Sequence, residues 1–103
     1  SGNRLLDLER PPTAIFAAND DMAAGVIRAA CERGLAVPRD ISVCGFDDTP
    51  IARHIYPALT TVRTPRGEIG QRAAQMLLTL MRGGTPPERC VDVGFELVVR
   101  ESS

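Results

Sequence analysis

The stretch Phe16 to Gly25, FAANDDMAAG, sets an amide and two carboxylates, Asn19, Asp20 and Asp21, between apolar and small residues, and Asp47 and Asp48 follow a second apolar run that ends at Phe46. An asparagine both donates and accepts, and an ionised aspartate accepts from two hydroxyls at once, so Asn19 with Asp47 would suit a hydroxyl-rich ligand. The same residue types also begin helices, because a side-chain oxygen satisfies a free N–H of the first turn for about 1 kcal/mol. That is their commoner role. Asn19 or Asp20 stands where a cap is needed, and Asp48 stands before Pro50 in the same way.

Little else in the chain points to catalysis. His54 has no nucleophile partner, and no nucleophile elbow, zinc-protease motif or strand-linked dinucleotide motif is present. Asp47 and Asp48 lack a third ligand of the kind magnesium would need. The three cysteines, Cys31, Cys44 and Cys90, have no C-x-x-C spacing and read as free thiols acting as small apolar side chains in a reducing compartment. All twelve basic residues are arginine, which removes Schiff-base and P-loop lysine chemistry, and they form no stripe for nucleic acid. The expectation is a protein that is not an enzyme and holds no metal or cofactor. An α/β enzyme using Asp47 and Asp48 on a metal stands as a remote alternative.

The positions of these groups depend on the elements around them. Thr13 to Ala18, TAIFAA, is short and apolar and ends in a turn-prone pair, as a buried parallel strand does. A helix should follow, with Met22, Ala23, Val26, Ile27 and Ala30 at helical spacing and Gly34 and Pro38 ending it. Ile41 to Phe46 is then a second strand after a helical crossover, so Thr13 to Phe46 forms a βαβ unit. In open parallel sheets ligands bind beyond the carboxyl ends of the strands, which is where Asn19 and Asp47 fall. A short helix between Pro50 and Pro57, a strand LTTVR from Leu59 and a helix of about 18 residues, with Thr64 as its cap and Pro65 at its first position, come next. In the last of these, Ile69, Ala73, Met76, Leu77 and Leu80 make one stripe closed by Gly83 and Gly84, and Val91 to Val99 reads as a final strand. Asn3 to Arg10 reads as the last turns of a preceding helix. With 103 residues, mixed charge and no apolar run of about 18 residues, the chain has the makings of one modest α/β core and no membrane span. Its first residues lack a secretion signal's basic-then-apolar order, and an earlier segment before Ser1 is left open.

PTAIFAANDDMAAG from Pro12, VPRDISVCGFDD from Val37, PALTTV from Pro57, Gly70 with Ala73, and LVVRES from Leu97 together resemble the lac/gal repressor family of bacterial transcription regulators over essentially the whole chain. The resemblance implies the C-terminal part of an effector-binding domain of the periplasmic-binding-protein-like (type I) fold, a parallel-sheet Rossmann-like lobe. Two such lobes would close over a sugar or nucleobase and change how a helix-turn-helix grips operator DNA. It further implies residues 13–59 in the C-terminal lobe, 60–64 crossing between lobes, 65–94 in the N-terminal lobe with the long helix, and 95–103 returning. Asn19 and Asp47 would contact the effector, with Asp20 and Asp48 as helix-start and structural partners. Met22, Ala24, Ile51, His54 and Ile55 would form the interface of a homodimer, and Thr60 and Thr61 the hinge. The helix-turn-helix and most of the N-terminal lobe would precede Ser1, and the stripe of Ile69, Met76, Leu77 and Leu80 would need cover from another chain or from the sheet. A cytoplasmic location is implied. The alternative within the fold is a secreted sugar-binding protein of a transporter, against which the lack of lysine and the unpaired thiols weigh.

Overall fold

The structure, a computed structural model, describes residues 2–103. The chain divides into two compact units, one reaching to Arg63 and resuming at Glu96, the other spanning Thr64–Phe95.

The first unit holds a four-stranded sheet in the order β1 (Ala14–Phe16), β2 (Ser42–Phe46), β3 (Thr60–Arg63), β4 (Glu96–Val98). The first three strands are parallel and β4 runs antiparallel to β3. Helix α1 (Gly2–Leu6) precedes β1, α2 (Asp20–Glu32) connects β1 to β2, and α3 (Ile51–His54) lies between β2 and β3. The helix α2 forms because Ala23, Val26, Ile27 and Ala30 recur at intervals of three and four and turn one face inward, where all four are buried. Met22, expected on that stripe, is instead about half exposed, because it sits at the edge of the buried arc. Gly34, at φ 72°, takes the left-handed turn that ends the helix. Under α2 lie Val43 of β2, Ala52 of α3 and Leu59 ahead of β3, with no solvent access. A second cluster joins Leu6 of α1 to Ala29, Ala30 and Ile41. Each large side chain buried in this way contributes about 1.5 to 3 kcal/mol.

The chain's last residues complete the sheet where β3 has not yet begun. The Ser102 carbonyl accepts from the Val43 N–H at 2.8 Å, and the Ser102 hydroxyl oxygen accepts from the Thr60 N–H at 2.8 Å. Ser102 is accordingly fully buried.

The second unit contains α4 (Arg66–Met81) and the irregular segment after it. No residue of α4 is buried, and Ile69, Leu77 and Leu80 of the stripe are all exposed. Met76, Thr79, Pro86 and Val91 are half-buried, along a groove between α4 and the segment that follows it.

Three local expectations are corrected. The final strand is Glu96–Val98 and not the whole of 91–99, because its ladder with β3 ends at the Arg63–Glu96 pair and residues before Glu96 have no strand to pair with. Asp48 does not cap α3: Pro50 occupies that position with no side-chain hydrogen bond, and the Asp48 carboxylate is committed to arginines. Thr64 does not cap α4 either, since Pro65 is the residue at its start and no side chain caps it.

Candidate functional site

The carboxyl ends of β1, β2 and β3 lie side by side. Phe16 pairs with Cys44 and Phe46 with Val62, so Asn19 and Asp47 each fall three residues beyond the Phe16–Cys44 pair, and Asp47 lies at the level of Arg63. The amide and the carboxylate singled out in the sequence therefore belong to one rim. Asn19 is the N-cap of α2, its Oδ1 accepting from the Met22 N–H at 2.8 Å. Capping uses the oxygen only and leaves the side-chain NH2 free to donate.

Asp47 and Asp48 both hold left-handed backbone angles, φ 105° and 53°. Such conformations are uncommon for side-chain-bearing residues and cost about 1 to 3 kcal/mol each unless the surroundings hold them. Here consecutive amides are tied down. The Asp47 N–H donates to the Val62 carbonyl at 2.9 Å, the Asp48 N–H to Thr61 Oγ1 at 3.3 Å, and the Thr49 N–H to Asp20 Oδ2 at 2.6 Å. The Asp47 carboxylate is half-buried and has no hydrogen-bond or ion-pair partner among the described residues.

The two remaining aspartates have buried tasks. Asp20 is fully buried, and its carboxylate accepts from Thr61 Oγ1 at 2.7 Å and from Thr49 Oγ1 at 3.0 Å as well as from the Thr49 amide, so it joins the start of α2, the loop after β2 and the middle of β3. Gly45 on β2 makes room for it: a Cβ there would stand 3.2 Å from Asp20 Cα and 2.9 Å from Leu59 Cδ2, and would overlap the Asp20 carboxylate. Asp48 is surrounded by arginines. Arg63 Nε donates to its Oδ2 at 2.7 Å, Arg53 stands 3.7 Å from the same oxygen, and Arg100 Nη2 reaches Oδ1 at 2.8 Å as an ion pair, off the line of a well-directed hydrogen bond. Burial pushes the Asp48 carboxyl up, but the hydrogen bond from Arg63 and the charges of Arg63 and Arg100 outweigh it and hold the group below its ordinary value. Hydrogen bonding to Asp48 raises Arg63 in turn. Burial, and then the charge of Asp20, push the Cys44 thiol up, which disfavours the reactive thiolate.

Asp47 and Asp48 thus do not act as a pair, because one carboxylate faces the rim and the other is spent on arginines, and the described residues contain no group of three metal-binding side chains. Thr60 and Thr61 are buried within β3, and the boundary between the units falls after Arg63. Among the residues expected at a dimer interface, Met22 and His54 are exposed and Ala24 and Ile51 partly so, on helices α2 and α3 that touch each other, while Ile55 packs on the core. Arg63, Arg100, Thr49 and Ser102 were not anticipated, because their partners lie 15 to 59 residues away in sequence and nothing local marks them.

A sequence profile described as a periplasmic binding protein-like domain matches residues 2–103. The chain belongs to that family, in its lac/gal repressor branch. The chain is 42% identical over 100 residues to the HTH-type transcriptional regulator GntR of Pseudomonas aeruginosa, a match that covers 97% of this chain and 29% of that protein. Among solved structures it resembles a regulatory protein of the LacI family from Chloroflexus aggregans, with 39% identity, a TM-score of 0.84, and coverage of 98% of this chain and 37% of that one. It also resembles a dimeric Lac repressor, with 36% identity, a TM-score of 0.86, and coverage of 99% and 37%. This periplasmic binding protein-like domain spans less than a third of the length of the curated relative. No helix among the described residues is long and apolar enough to cross a membrane.

Proposed function

We propose that this chain is the effector-sensing and dimerisation part of a bacterial DNA-binding transcription regulator, binding a sugar or nucleobase by hydrogen bonds and performing no chemistry. The observation that carries this reading is the rim beyond the ends of β1 and β2, where Asp47, an aspartate with no side-chain partner among the described residues, follows β2 as Asn19, whose capping bond leaves its NH2 free, follows β1. An acceptor-only carboxylate beside a free amide donor matches ligand hydroxyls or ring nitrogens. Membership in a family whose named relatives are transcriptional regulators favours this reading over a transporter's sugar-binding protein. In the proposed assembly the contact with operator DNA is made by another part of the protein, the location is the cytoplasm, and Met22, Ala24, Ile51 and His54 meet a second copy, with Ile55 behind them.

The hinge in this reading takes in Thr60 and Thr61 and extends to the Arg63–Thr64 and Phe95–Glu96 junctions, where the chain passes between its units. The stripe on α4 is then covered by another part of the assembly. The test is a thermal-shift screen of sugars and purines on the full gene product, repeated with Asp47→Ala. A compound that stabilises the protein should lose about tenfold or more in affinity on that substitution, as expected when hydrogen bonds to a charged group are removed. Unchanged affinity would remove Asp47 from the site.

A further inference from the structure

The strands by which the chain leaves and re-enters its first unit are clamped to the rim. The unit ends at Arg63 and resumes at Glu96, and these two residues are register partners in the β3–β4 ladder. Arg63 bonds in both directions, Nε to Asp48 Oδ2 at 2.7 Å and Nη1 to Glu96 Oε2 at 3.5 Å. Arg100, just after β4, pairs with the other oxygen of Asp48 and donates through Nη1 to the Leu59 carbonyl at 2.9 Å. One buried carboxylate therefore holds the end of β3 and the segment beyond β4, and through Arg63 it touches the start of β4. That carboxylate is adjacent in sequence to Asp47, whose strained backbone hangs from the Val62 carbonyl, one residue before Arg63.

The geometry points to Asp48 as a positioning residue that locks the loop bearing Asp47 to both strands crossing the unit boundary, so that a change at the rim is transmitted to the crossing. The parts make this a stiff connection. Asp48 is the buried member of the cluster, its side chain 2% exposed, so an arrangement that withdraws it from its arginines would strand its charge in a poorly hydrated place. The left-handed angles at Asp47 and Asp48 leave the loop few alternative conformations while the clamp is closed. In the proposed regulator, on which this inference rests for its biological meaning, an effector drawn onto Asp47 would act on the hinge through Asp48.

The test needs no effector. Hydrogen–deuterium exchange on the full gene product reads peptides covering residues 62–64 and 95–97, and the rim is perturbed by Asp47→Gly, which relieves the φ 105° strain. With Asp48 intact, that change should shift exchange of both crossing peptides by about threefold or more while β1 and the end of α2 stay as they were. With Asp48→Asn the shift should vanish, and with Asp48→Glu part of it should return. Equal shifts with and without Asp48, no shift in either background, or uniform acceleration across the first unit would overturn the inference. If Asp48→Asn does not fold, Arg63→Gln removes one arm at a half-exposed residue and is read by the same outcomes. A failed effector screen with Asp47→Ala would sink the proposed function and leave this exchange result to stand or fall alone.

Discussion

Helices α2 and α4 both carry apolar residues at helical spacing, yet α2 buries six of its thirteen residues and α4 buries none of its sixteen. Periodicity specifies which face of a helix is apolar and says nothing of what will cover it. In α2 the stripe is mostly alanine with Val26 and Ile27, which lets the backbone approach β2 closely, and Gly45 at the point of contact removes the last obstacle. In α4 the stripe is built of Ile69, Leu77 and Leu80, large residues that would make a thick layer against a partner. The same contrast holds for polar groups. Asp20, Asp48 and Ser102 of the first unit are buried and tied to several elements, whereas the hydrogen bonds of the second unit are local ones, such as Arg72 to Glu68 and Thr79 to the Gln75 carbonyl.

The sharpest way to break this contrast is to remove the buried carboxylate of the first unit. Asp20→Ala would leave the buried Thr61 hydroxyl and the part-buried Thr49 amide and hydroxyl without their acceptor. Stranding these donors should cost about 3 to 5 kcal/mol, read as a fall in the urea midpoint. A loss below about 1 kcal/mol would mean that the threonines find other partners and that Asp20 is a helix-start residue and little more.

Much of the first unit could be read from residue patterns because local rules and the final packing agree there. TAIFAA and ISVCGF are strands, NDD opens a helix, and Gly34 closes it, each by its own chemistry. The rim was readable for the same reason, since strand ends in a parallel sheet fix where Asn19 and Asp47 fall. What could not be read was the use of a residue by distant partners. Asp48 has the local look of a helix cap, and only the arrival of Arg63 and Arg100 from later strands gives it a different task. Likewise the alternation in Val91 to Val99 resembles a longer strand than the one that forms, because strand length depends on a neighbour and β3 stops at Arg63.

Acid should separate the two units by a smaller margin. The folded protein holds Asp48 below its ordinary value of 3.8, so the unfolded chain binds that proton more readily. The stabilisation from the Asp48 clamp is therefore complete above about pH 4 and is lost as the pH falls through the depressed folded value. Asp48→Asn should lower stability at pH 7 by about 1 to 3 kcal/mol and flatten its decline between pH 4 and lower values. Urea midpoints taken across that range check both signs, and an unchanged acid limb in the variant would show that another carboxylate controls it.

The least costly change should be in α4, and its smallness is what makes it informative. Ile27 of α2 is almost fully buried and Leu77 of α4 is 58% exposed, so truncating each to alanine compares the two stripes directly. Ile27→Ala deletes packed atoms and leaves a cavity, at about 2 to 5 kcal/mol. Leu77→Ala deletes atoms that already face water and replaces leucine with the best helix former, so in the 103-residue chain it should stay within about 0.5 kcal/mol. If the two truncations cost the same in that chain, α4 is covered in solution and the contrast drawn from the structure fails. If Leu77→Ala is silent in the 103-residue chain and costly in the full gene product, the difference measures the cover that the rest of the assembly supplies.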